Sequence, residues 1–402
     1  MSGEMIPKGY KRTEVGVIPE DWECTTVGKI CYCFSGGTPN TSIPNYYAGD
    51  IPWITSSDLN AGTICDVSGK ISKEGLDNSS AKMIESGTLL IALYGATAGV
   101  CAISKIPAAI NQAILAMMPN QTNIQYLFQF LILRKLHNIL TYTQGGQPNF
   151  SGEIVKSFGI TIPPTLAEQQ AIAAALSDAD AWIESLESLI AKKRQIKQGA
   201  MQELLTGKRR LPGFSGKWEY ASLGREISLI SGYHVLAQYC NAEMIGFPYV
   251  TGPSDFASGS IQISKFTTRP VTICEPDDIL ITVKGSGVGS MISADGQYCI
   301  SRQLMAIRIS QNRSSSFMYY CLLQESTSFG SVATGLIPGI SRSDLLETTI
   351  FIPEELPEQS AIASVLSDMD AELEALEGKL AKARQVKQGM MQQLLTGKIR
   401  LV

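Results

Sequence analysis

The chain has 402 residues, with 33 Lys and Arg against 37 Asp and Glu, a formal net charge of −4 and a pI near 5.5. With 44% hydrophobic and only 17% charged residues, it is too apolar to be disordered, and its length predicts two or three domains. The slightly acidic balance argues at first against a nucleic-acid partner, whose footprint is usually a basic surface.

The amino terminus and the cysteines predict a cytoplasmic protein with reduced thiols. Met1 to Lys11 has no apolar core, so no secretory signal is expected. The most apolar stretch, Leu89 to Ile103, has about 15 residues, fewer than the roughly 20 that a membrane span needs. The nine cysteines are scattered and include no C-x-x-C pair, which predicts that no metal is bound through them.

Residues 1–162 predict a strand-rich domain of mixed α+β type. The strand-like segment IPWIT at 51–55 is followed by LLIALYGATAG at 89–99, an apolar run that enters a glycine-rich turn. A helix is predicted from Asn123 to Leu140.

Residues 163–211 predict one long helix. Ala, Leu, Glu, Gln, Lys and Met dominate the segment from Glu168 to Thr206, two prolines precede it, and Gly207 follows the last apolar residues as a C-cap would. A helix of about 40 residues would be roughly 60 Å long.

Residues 212–352 predict a second domain that is distantly related to the first. FPYVT at 247–251 matches the first strand-like segment, and ILITVKGSGVG at 279–289 matches the apolar run with its glycine turn. LIPGIS at 336–341 stands where the first domain has GQPNFS at 146–151. The two domains therefore share an order of landmarks but differ in their loops.

Residues 353–402 repeat the long helix. Pro163 to Leu211 aligns without a gap onto Pro353 to Leu401, and 31 of the 49 positions are identical. Apolar residues in both copies follow the alternating spacing of four and three residues that is typical of a coiled coil. The predicted seam comprises Ile172, Leu176, Ala179, Ile183, Leu186 and Ile190, then Ile362, Leu366, Met369, Leu373, Leu376 and Leu380.

The distribution of charge predicts that the two helices pair antiparallel. In both copies the acidic residues occupy the first half and the basic residues the second half. A parallel pair would set like charges side by side, whereas an antiparallel pair sets acids against bases. The predicted fold is α+β, with two strand-rich domains and two long helices forming an antiparallel coiled coil in a tandem repeat with pseudo-two-fold symmetry. An ordinary core helix under each domain is the alternative.

Several segments resemble the specificity (S) subunit of type I restriction-modification enzymes. They are the duplicated P-x-x-x-x-E-Q…LL-T-G-K helices, GYKRTEVGVIPEDWE at 9–23 and GGTPNTSIPNYYAGDIPWITSSDL at 36–59. The resemblance implies target-recognition domains at 1–162 and 212–352, and conserved spacer helices at 163–211 and 353–402. Each domain would read one half of a bipartite, asymmetric double-stranded DNA target, and the helices would set the gap between the halves.

The resemblance also implies partners and a chain without catalytic activity. Two methyltransferase (M) subunits would methylate adenine N6, and restriction (R) subunits would cleave DNA with ATP. S-adenosylmethionine, ATP and Mg²⁺ would therefore bind to the partners and not to this chain. The sequence agrees, since it contains neither an N/D-P-P-Y/F tetrapeptide nor a G-x-x-x-x-G-K-S/T phosphate loop. A coiled-coil scaffold whose domains bind ligands other than nucleic acid stays open as the alternative.

Amide, hydroxyl and cationic side chains in the glycine-rich loops are the candidates for DNA contact, because such groups read base edges and hold phosphates. For each of them the alternative is an ordinary loop residue. The first-domain candidates are Ser35, Gly36, Gly37, Thr38, Ser56, Ser57, Tyr94, Gln112, Gln144, Gln147 and Asn149. The second-domain candidates are Tyr233, His234, Thr251, Lys265, Arg269, Lys284, Ser286, Arg302 and Gln303.

Overall fold

The computed structural model describes residues 6–143, 147–257, 259–285, 287–331 and 339–401. The chain divides into two compact units. Unit 1 comprises residues 1–185 and 380–402, and unit 2 comprises residues 186–379. Each unit therefore contains one strand-rich domain together with parts of both long helices.

Unit 1 is built from thirteen strands among its described residues. They are β1 (Tyr10–Thr13), β2 (Gly16–Pro19), β3 (Glu23–Thr26), β4 (Cys31–Ser35), β5 (Ile51–Ile54), β6 (Thr63–Ile64), β7 (Lys70–Ile71), β8 (Lys82–Ile84), β9 (Leu89–Ala92), β10 (Cys101–Ser104), β11 (Ala108–Ile110), β12 (Ile114–Pro119) and β13 (Gly159–Ile162). The helices that begin in this unit are α1 (Val27–Ile30), α2 (Lys73–Asp77), α3 (Ile124–Tyr142), α4 (Gly152–Lys156) and α5 (Leu166–Leu204).

Two sheets position the loops of unit 1. One has the order β4-β12-β9-β10-β6 and the other the order β7-β5-β11-β8. In the second sheet β11 runs parallel to β5, with Ala109 opposite Trp53. All the residues of β9, β10 and β11 are buried, as expected for short apolar strands covered on both faces. Helix α3 begins where Asn123 accepts a hydrogen bond from the amide of Tyr126 at 3.0 Å.

Unit 2 repeats this plan. Its strands are β14 (Trp218–Ser222), β15 (Ile227–Ser231), β16 (Cys240–Asn241), β17 (Phe247–Val250), β18 (Phe256–Ala257), β19 (Ser260–Ile261), β20 (Phe266–Thr267), β21 (Ile273–Cys274), β22 (Ile279–Thr282), β23 (Met291–Ser293), β24 (Tyr298–Ile300), β25 (Leu304–Ile309) and β26 (Thr349–Pro353). The helices are α6 (Leu223–Glu226), α7 (Ser315–Ser331), α8 (Arg342–Glu347) and α9 (Leu356–Leu394). The sheets run β15-β25-β22-β23 and β16-β20-β17-β24-β21, and β24 is parallel to β17.

The two long helices, α5 and α9, have 39 residues each and end as the sequence predicts. Gly207 and Gly397 both have φ of +68°, the left-handed conformation of a glycine that terminates a helix. At the start of α5, the amide of Glu168 donates to the hydroxyl of Thr165 at 3.2 Å.

Within unit 1, the beginning of α5 lies beside the end of α9, so the two helices run antiparallel. Arg400 forms an ion pair with Glu168, and Lys387 lies 2.5 Å from Asp180. Asp180 also accepts a 2.7 Å hydrogen bond from Gln129 of α3. These contacts tie both helices to the domain, and they set acids against bases as predicted.

Unit 2 contains the same contacts with the roles of the two helices exchanged. Arg210 near the end of α5 pairs with Glu358 near the start of α9, at 2.5 Å, and Lys197 pairs with Asp370. Asp370 accepts a 2.8 Å hydrogen bond from the hydroxyl of Tyr320, which occupies the place that Gln129 has in unit 1. Burial is the largest cause that raises the pKa of Tyr320, and the hydrogen bond to Asp370 is the second.

The predicted seam is buried in most of its positions. Four residues are half-buried, and they are Ala179, Ile183, Met369 and Leu380. The first two seam residues of each helix also belong to a domain core. Ile172 and Leu176 lie in the core of unit 1 with Met391 and Leu394, and Ile362 and Leu366 lie in the core of unit 2. The seam therefore merges with a domain core at the start of each helix.

None of the described helices has an apolar stretch long enough to cross a bilayer.

Candidate functional site

Five loop segments of unit 1 meet at the carboxyl ends of β4, β5, β9 and β11, and we call residues 35–38, 55–58, 93–95, 111–113 and 147–151 the first loop cluster. Backbone hydrogen bonds join them. The amide of Gly37 donates to Ile110 at 3.1 Å, that of Asn111 donates to Ile54 at 3.2 Å, and that of Leu93 donates to Ala113 at 2.8 Å. The last segment joins through Phe150, whose amide donates to the carbonyl of Leu93 at 2.7 Å.

The close approach of the first and fourth segments requires glycine. A Cβ atom on Gly36 would lie 1.9 Å from the carbonyl oxygen of Ile110, far inside contact distance. Beyond this contact, the hydroxyl of Thr38 donates a hydrogen bond to the side-chain oxygen of Gln112. The two candidates, 74 residues apart in sequence, therefore form one polar pair at the surface.

The other segments are also ordered by short polar contacts. Asp58 accepts from the amide of Thr55 at 2.7 Å and from its hydroxyl at 2.8 Å, and Ser57 lies 2.9 Å from that hydroxyl. Tyr94 forms an isolated antiparallel bridge with Asn149. Asp58 was not among the candidates chosen from the sequence. An acid three residues after a threonine at a strand end is nevertheless a known turn signal that could have found it.

The first-domain candidates therefore converge, apart from one that cannot be placed. Gln144 lies outside the described residues, and the other ten belong to the first loop cluster. Gln112, Gln147 and Asn149 are exposed, so their amide groups are available to a ligand.

Unit 2 has a second loop cluster with equivalent backbone contacts, formed by residues 231–235, 251–255, 283–285, 301–303 and 339–341. The amide of Tyr233 donates to Ile300 at 3.0 Å, that of Ser301 donates to Val250 at 3.0 Å, and that of Ile340 donates to Val283 at 3.0 Å. Asp255 holds the amide and hydroxyl of Thr251 at 2.6 and 2.8 Å, as Asp58 holds Thr55.

Six of the second-domain candidates lie in this cluster, and they are Tyr233, His234, Thr251, Lys284, Arg302 and Gln303. Ser286 lies outside the described residues. Lys265 and Arg269 flank β20 instead: the carbonyl of Lys265 accepts from Tyr249, and the guanidinium of Arg269 lies 4.5 Å from the ring of Tyr239. Their positive charge made them candidates, but the guanidinium of Arg269 donates to the hydroxyl of Tyr239 at 3.0 Å.

Neither cluster resembles a metal centre. Within the described parts of the chain, no group of three or more His, Cys, Asp or Glu side chains is placed to hold a metal ion. A cavity of about 820 Å³ in unit 2 is lined by residues of α5, α7 and α9, including Arg194, Tyr320 and Glu374, and shares no residue with the second loop cluster. What the clusters offer chemically is a set of exposed amide, hydroxyl and cationic groups on a fixed backbone.

Known proteins share this organisation. The family model described as "Type I restriction modification DNA specificity domain" matches the chain twice, at residues 19–198 and 216–385. The type I restriction enzyme MjaVIII specificity subunit of Methanocaldococcus jannaschii is 24% identical over 417 residues, 96% of this chain and 94% of that protein. The MjaIX specificity subunit of the same organism is 33% identical over 183 residues, 44% of this chain and 42% of the other.

A solved structure shares the fold. The crystal structure of a type I restriction-modification system S subunit from M. genitalium matches 93% of this chain and 96% of its own, with a TM-score of 0.64 and 16% identity. The predicted fold, two α+β domains with two long helices, is thereby confirmed. Because the two family matches span most of the sequence, the chain belongs to the type I restriction-modification DNA specificity family.

Proposed function

We propose that this chain is the DNA-recognition subunit of a type I restriction-modification complex, in which each loop cluster reads one half of a bipartite target. The observation that carries the proposal is the presence of two type I DNA specificity domains with exposed polar side chains on a hydrogen-bonded loop scaffold. Scaffolded loops of this kind suit contact with base edges and phosphates.

The proposed target is asymmetric. At equivalent backbone positions, unit 1 has Thr38 and Gln112 where unit 2 has His234 and Arg302. Different donors and acceptors at the same place select different bases. The two halves of the target would therefore differ in sequence.

Catalysis would reside on partner subunits. In this proposal two M subunits transfer a methyl group from S-adenosylmethionine to adenine N6, and R subunits cleave DNA with ATP and Mg²⁺. The partners would also clamp the duplex, since the chain has a net charge of −4 and supplies little bulk attraction to phosphate. The affinity of the isolated chain for DNA should accordingly be weak.

Salt dependence distinguishes this proposal from a scaffold that binds other ligands. Bound to its M partner, the chain should bind its target with an affinity that falls steeply with salt, because phosphate contacts release counterions. Lys284→Ala, in the second loop cluster, should lower the affinity, whereas Lys217→Ala, an exposed lysine of the same unit outside it, should not. A complex that binds no DNA sequence preferentially at any salt concentration would contradict the proposal.

Mapping of N6-methyladenine across a genome expressing the chain with its M partner tests the proposal directly. The expected result is methylation of both strands within one motif of two specified halves and an unspecified gap. A continuous motif, or none, would speak against two reading domains.

A further inference from the structure

The two loop clusters share one turn whose backbone is the same in both units. In unit 1 the turn is residues 111–113, between β11 and β12, and in unit 2 it is residues 301–303, between β24 and β25. The amide of Ala113 donates to the side-chain oxygen of Asn111 at 3.0 Å, and the amide of Gln303 donates to the hydroxyl of Ser301 at 3.1 Å. The amide after each turn donates to the carbonyl of the first turn residue, from Ile114 to Asn111 at 3.3 Å in unit 1 and from Leu304 to Ser301 at 2.9 Å in unit 2.

A glycine loop packs against the backbone at each turn, meeting the residue before the turn in unit 1 and the first residue of the turn in unit 2. A Cβ atom would lie 1.9 Å from the carbonyl oxygen of Ile110 if added to Gly36, and 2.0 Å from that of Ser301 if added to Gly232. The following amide in each loop donates to the residue before the turn. The middle residue of the turn is thereby held in an equivalent place in both units, and its side chain is exposed in both.

The side chains at this middle position differ in the way that base recognition requires. In unit 1 it is Gln112, whose amide oxygen accepts the Thr38 hydroxyl hydrogen. That bond fixes the orientation of the amide and leaves one lone pair of the oxygen and both N–H groups for a ligand. An amide so presented matches adenine, which offers the N6 amino donor and the N7 acceptor.

In unit 2 the middle residue is Arg302, which is exposed and makes no hydrogen bond or ion pair with any residue that the structure describes. Its guanidinium group has a planar fork of donors that matches the O6 and N7 acceptors of guanine. The same backbone therefore presents an adenine-matching group in one unit and a guanine-matching group in the other.

We propose that Gln112 and Arg302 are specificity-determining residues, with Gln112 reading an adenine in one half of the target and Arg302 reading a guanine in the other. This inference rests on the proposed function, and it adds which residue reads which base. A phosphate contact by Arg302 is the competing role, and it predicts a different result.

The test uses the complete S–M complex and compares methylation motifs and duplex affinities of wild type, Arg302→Gln, Arg302→Lys and Gln112→Arg. Arg302→Gln should change one specified position, from guanine to a relaxed or adenine preference, and leave the other half unchanged. The discrimination between the correct and wrong base at that position should fall about 5- to 150-fold. Gln112→Arg should alter one adenine position in the opposite half.

Arg302→Lys separates base reading from phosphate binding, and one added variant, Arg225→Gln, is the control. Arg302→Lys keeps the charge but loses the fork, so discrimination should fall while the salt dependence is retained. Arg225→Gln makes the same change at an exposed residue of α6 outside the cluster and should leave the motif unchanged.

A uniform loss of affinity over all sequences with a smaller salt slope in Arg302→Gln would overturn the inference in favour of a phosphate contact. An unchanged motif in both Arg302→Gln and Gln112→Arg would overturn it as well. If the wild-type complex yields no bipartite motif, the proposed function itself has failed, and that result is separate from either outcome.

Discussion

The guanidinium group of Arg400 forms a bidentate ion pair with the carboxylate of Glu168, 232 residues earlier in the chain, and its Nη2 lies 2.8 Å from Oε2. The Glu168 side chain is only 3% exposed. The same guanidinium donates two 3.0 Å hydrogen bonds to Asp21 and lies 5.8 Å from the ring of Trp22. The hydrogen bond to Glu168 is the largest cause that raises the pKa of Arg400, and the hydrogen bonds to Asp21 are the next. One arginine thus joins the end of α9, the start of α5 and the domain of unit 1.

Removing this arginine should destabilise unit 1. Arg400→Ala leaves the buried carboxylate of Glu168 without its cation, and loss of one partner of a buried ion pair costs about 3–5 kcal/mol. Because the Arg400 side chain keeps 32% exposure, we expect a decrease of about 2–3 kcal/mol in the free energy of unfolding. Denaturant titration measures the decrease, and amide hydrogen exchange should locate it in unit 1.

Arg194→Ala is the matched control, because it removes an arginine from an exposed pair. Arg194 lies 2.7 Å from Glu377, with side chains 64% and 47% exposed. Such a pair contributes at most about 1 kcal/mol. Equal destabilisation by the two substitutions would show that burial of Glu168 has no special effect.

The sequence predicted the frame of the molecule better than its loops. Heptad spacing and the split of acids and bases along each repeat were enough to predict the antiparallel pairing that Lys387 and Asp180 show. The loop contacts depend instead on parallel pairing of β11 with β5, which no local pattern encodes. For the same reason, the hydrogen bond from Thr38 to Gln112 could not be predicted, although both residues were candidates.

Two of the cations chosen by charge lie outside the second loop cluster. Lys265 and Arg269 stood out as cations, yet Arg269 donates to the Tyr239 hydroxyl at 3.0 Å and packs on its ring. A sequence shows that a residue is charged but not which neighbouring group it contacts in the fold. The merging of the seam with the domain cores, as at Ile172, is likewise a consequence of tertiary packing.

Gly36→Ala should impair recognition through the first loop cluster. The new Cβ atom would meet the backbone oxygen of Ile110 at 1.9 Å, and a backbone oxygen cannot move aside like a flexible side chain. We expect a loss of about 1–3 kcal/mol in unfolding free energy and loss of methylation at the target. Gly199→Ala, in α5 with no atom within 4 Å of the added group, is the control that should keep activity. Normal methylation by Gly36→Ala would contradict a role for this close contact.

Gly378→Ala should stabilise the protein. Gly378 lies inside α9, and an added Cβ atom would meet nothing within 4 Å, so alanine gains helix propensity without a clash. The expected gain is about 0.5–1 kcal/mol of unfolding free energy. Gly207→Ala should do the reverse, because Gly207 has φ of +68° and its added Cβ would lie 3.2 Å from the Trp218 ring. Thermal unfolding of the two variants beside wild type measures both changes, and a shift of the same sign in both would refute the argument.

A fragment of residues 1–211 should form a symmetric dimer. In unit 1 the start of α5 needs the end of α9, and the end of α5 carries the same residues at the contact positions. The equivalent pairs are Lys197 with Lys387, Met201 with Met391, Leu204 with Leu394, Leu205 with Leu395 and Arg210 with Arg400. A second copy of α5 can therefore supply the cation for Asp180 and the arginine for Glu168.

Light scattering of the purified fragment measures its mass, and the expected value is twice that of one chain. Asp180→Lys should make the fragment monomeric, since it would set a lysine against Lys197 of the second copy. Asp178→Lys, an exposed acid two residues earlier on a different side of α5, should leave the dimer intact. With an M partner, the dimer should methylate a palindromic motif built from two copies of the half that the first domain reads. A fragment that stays monomeric at high concentration would show that the end of α5 cannot replace the end of α9.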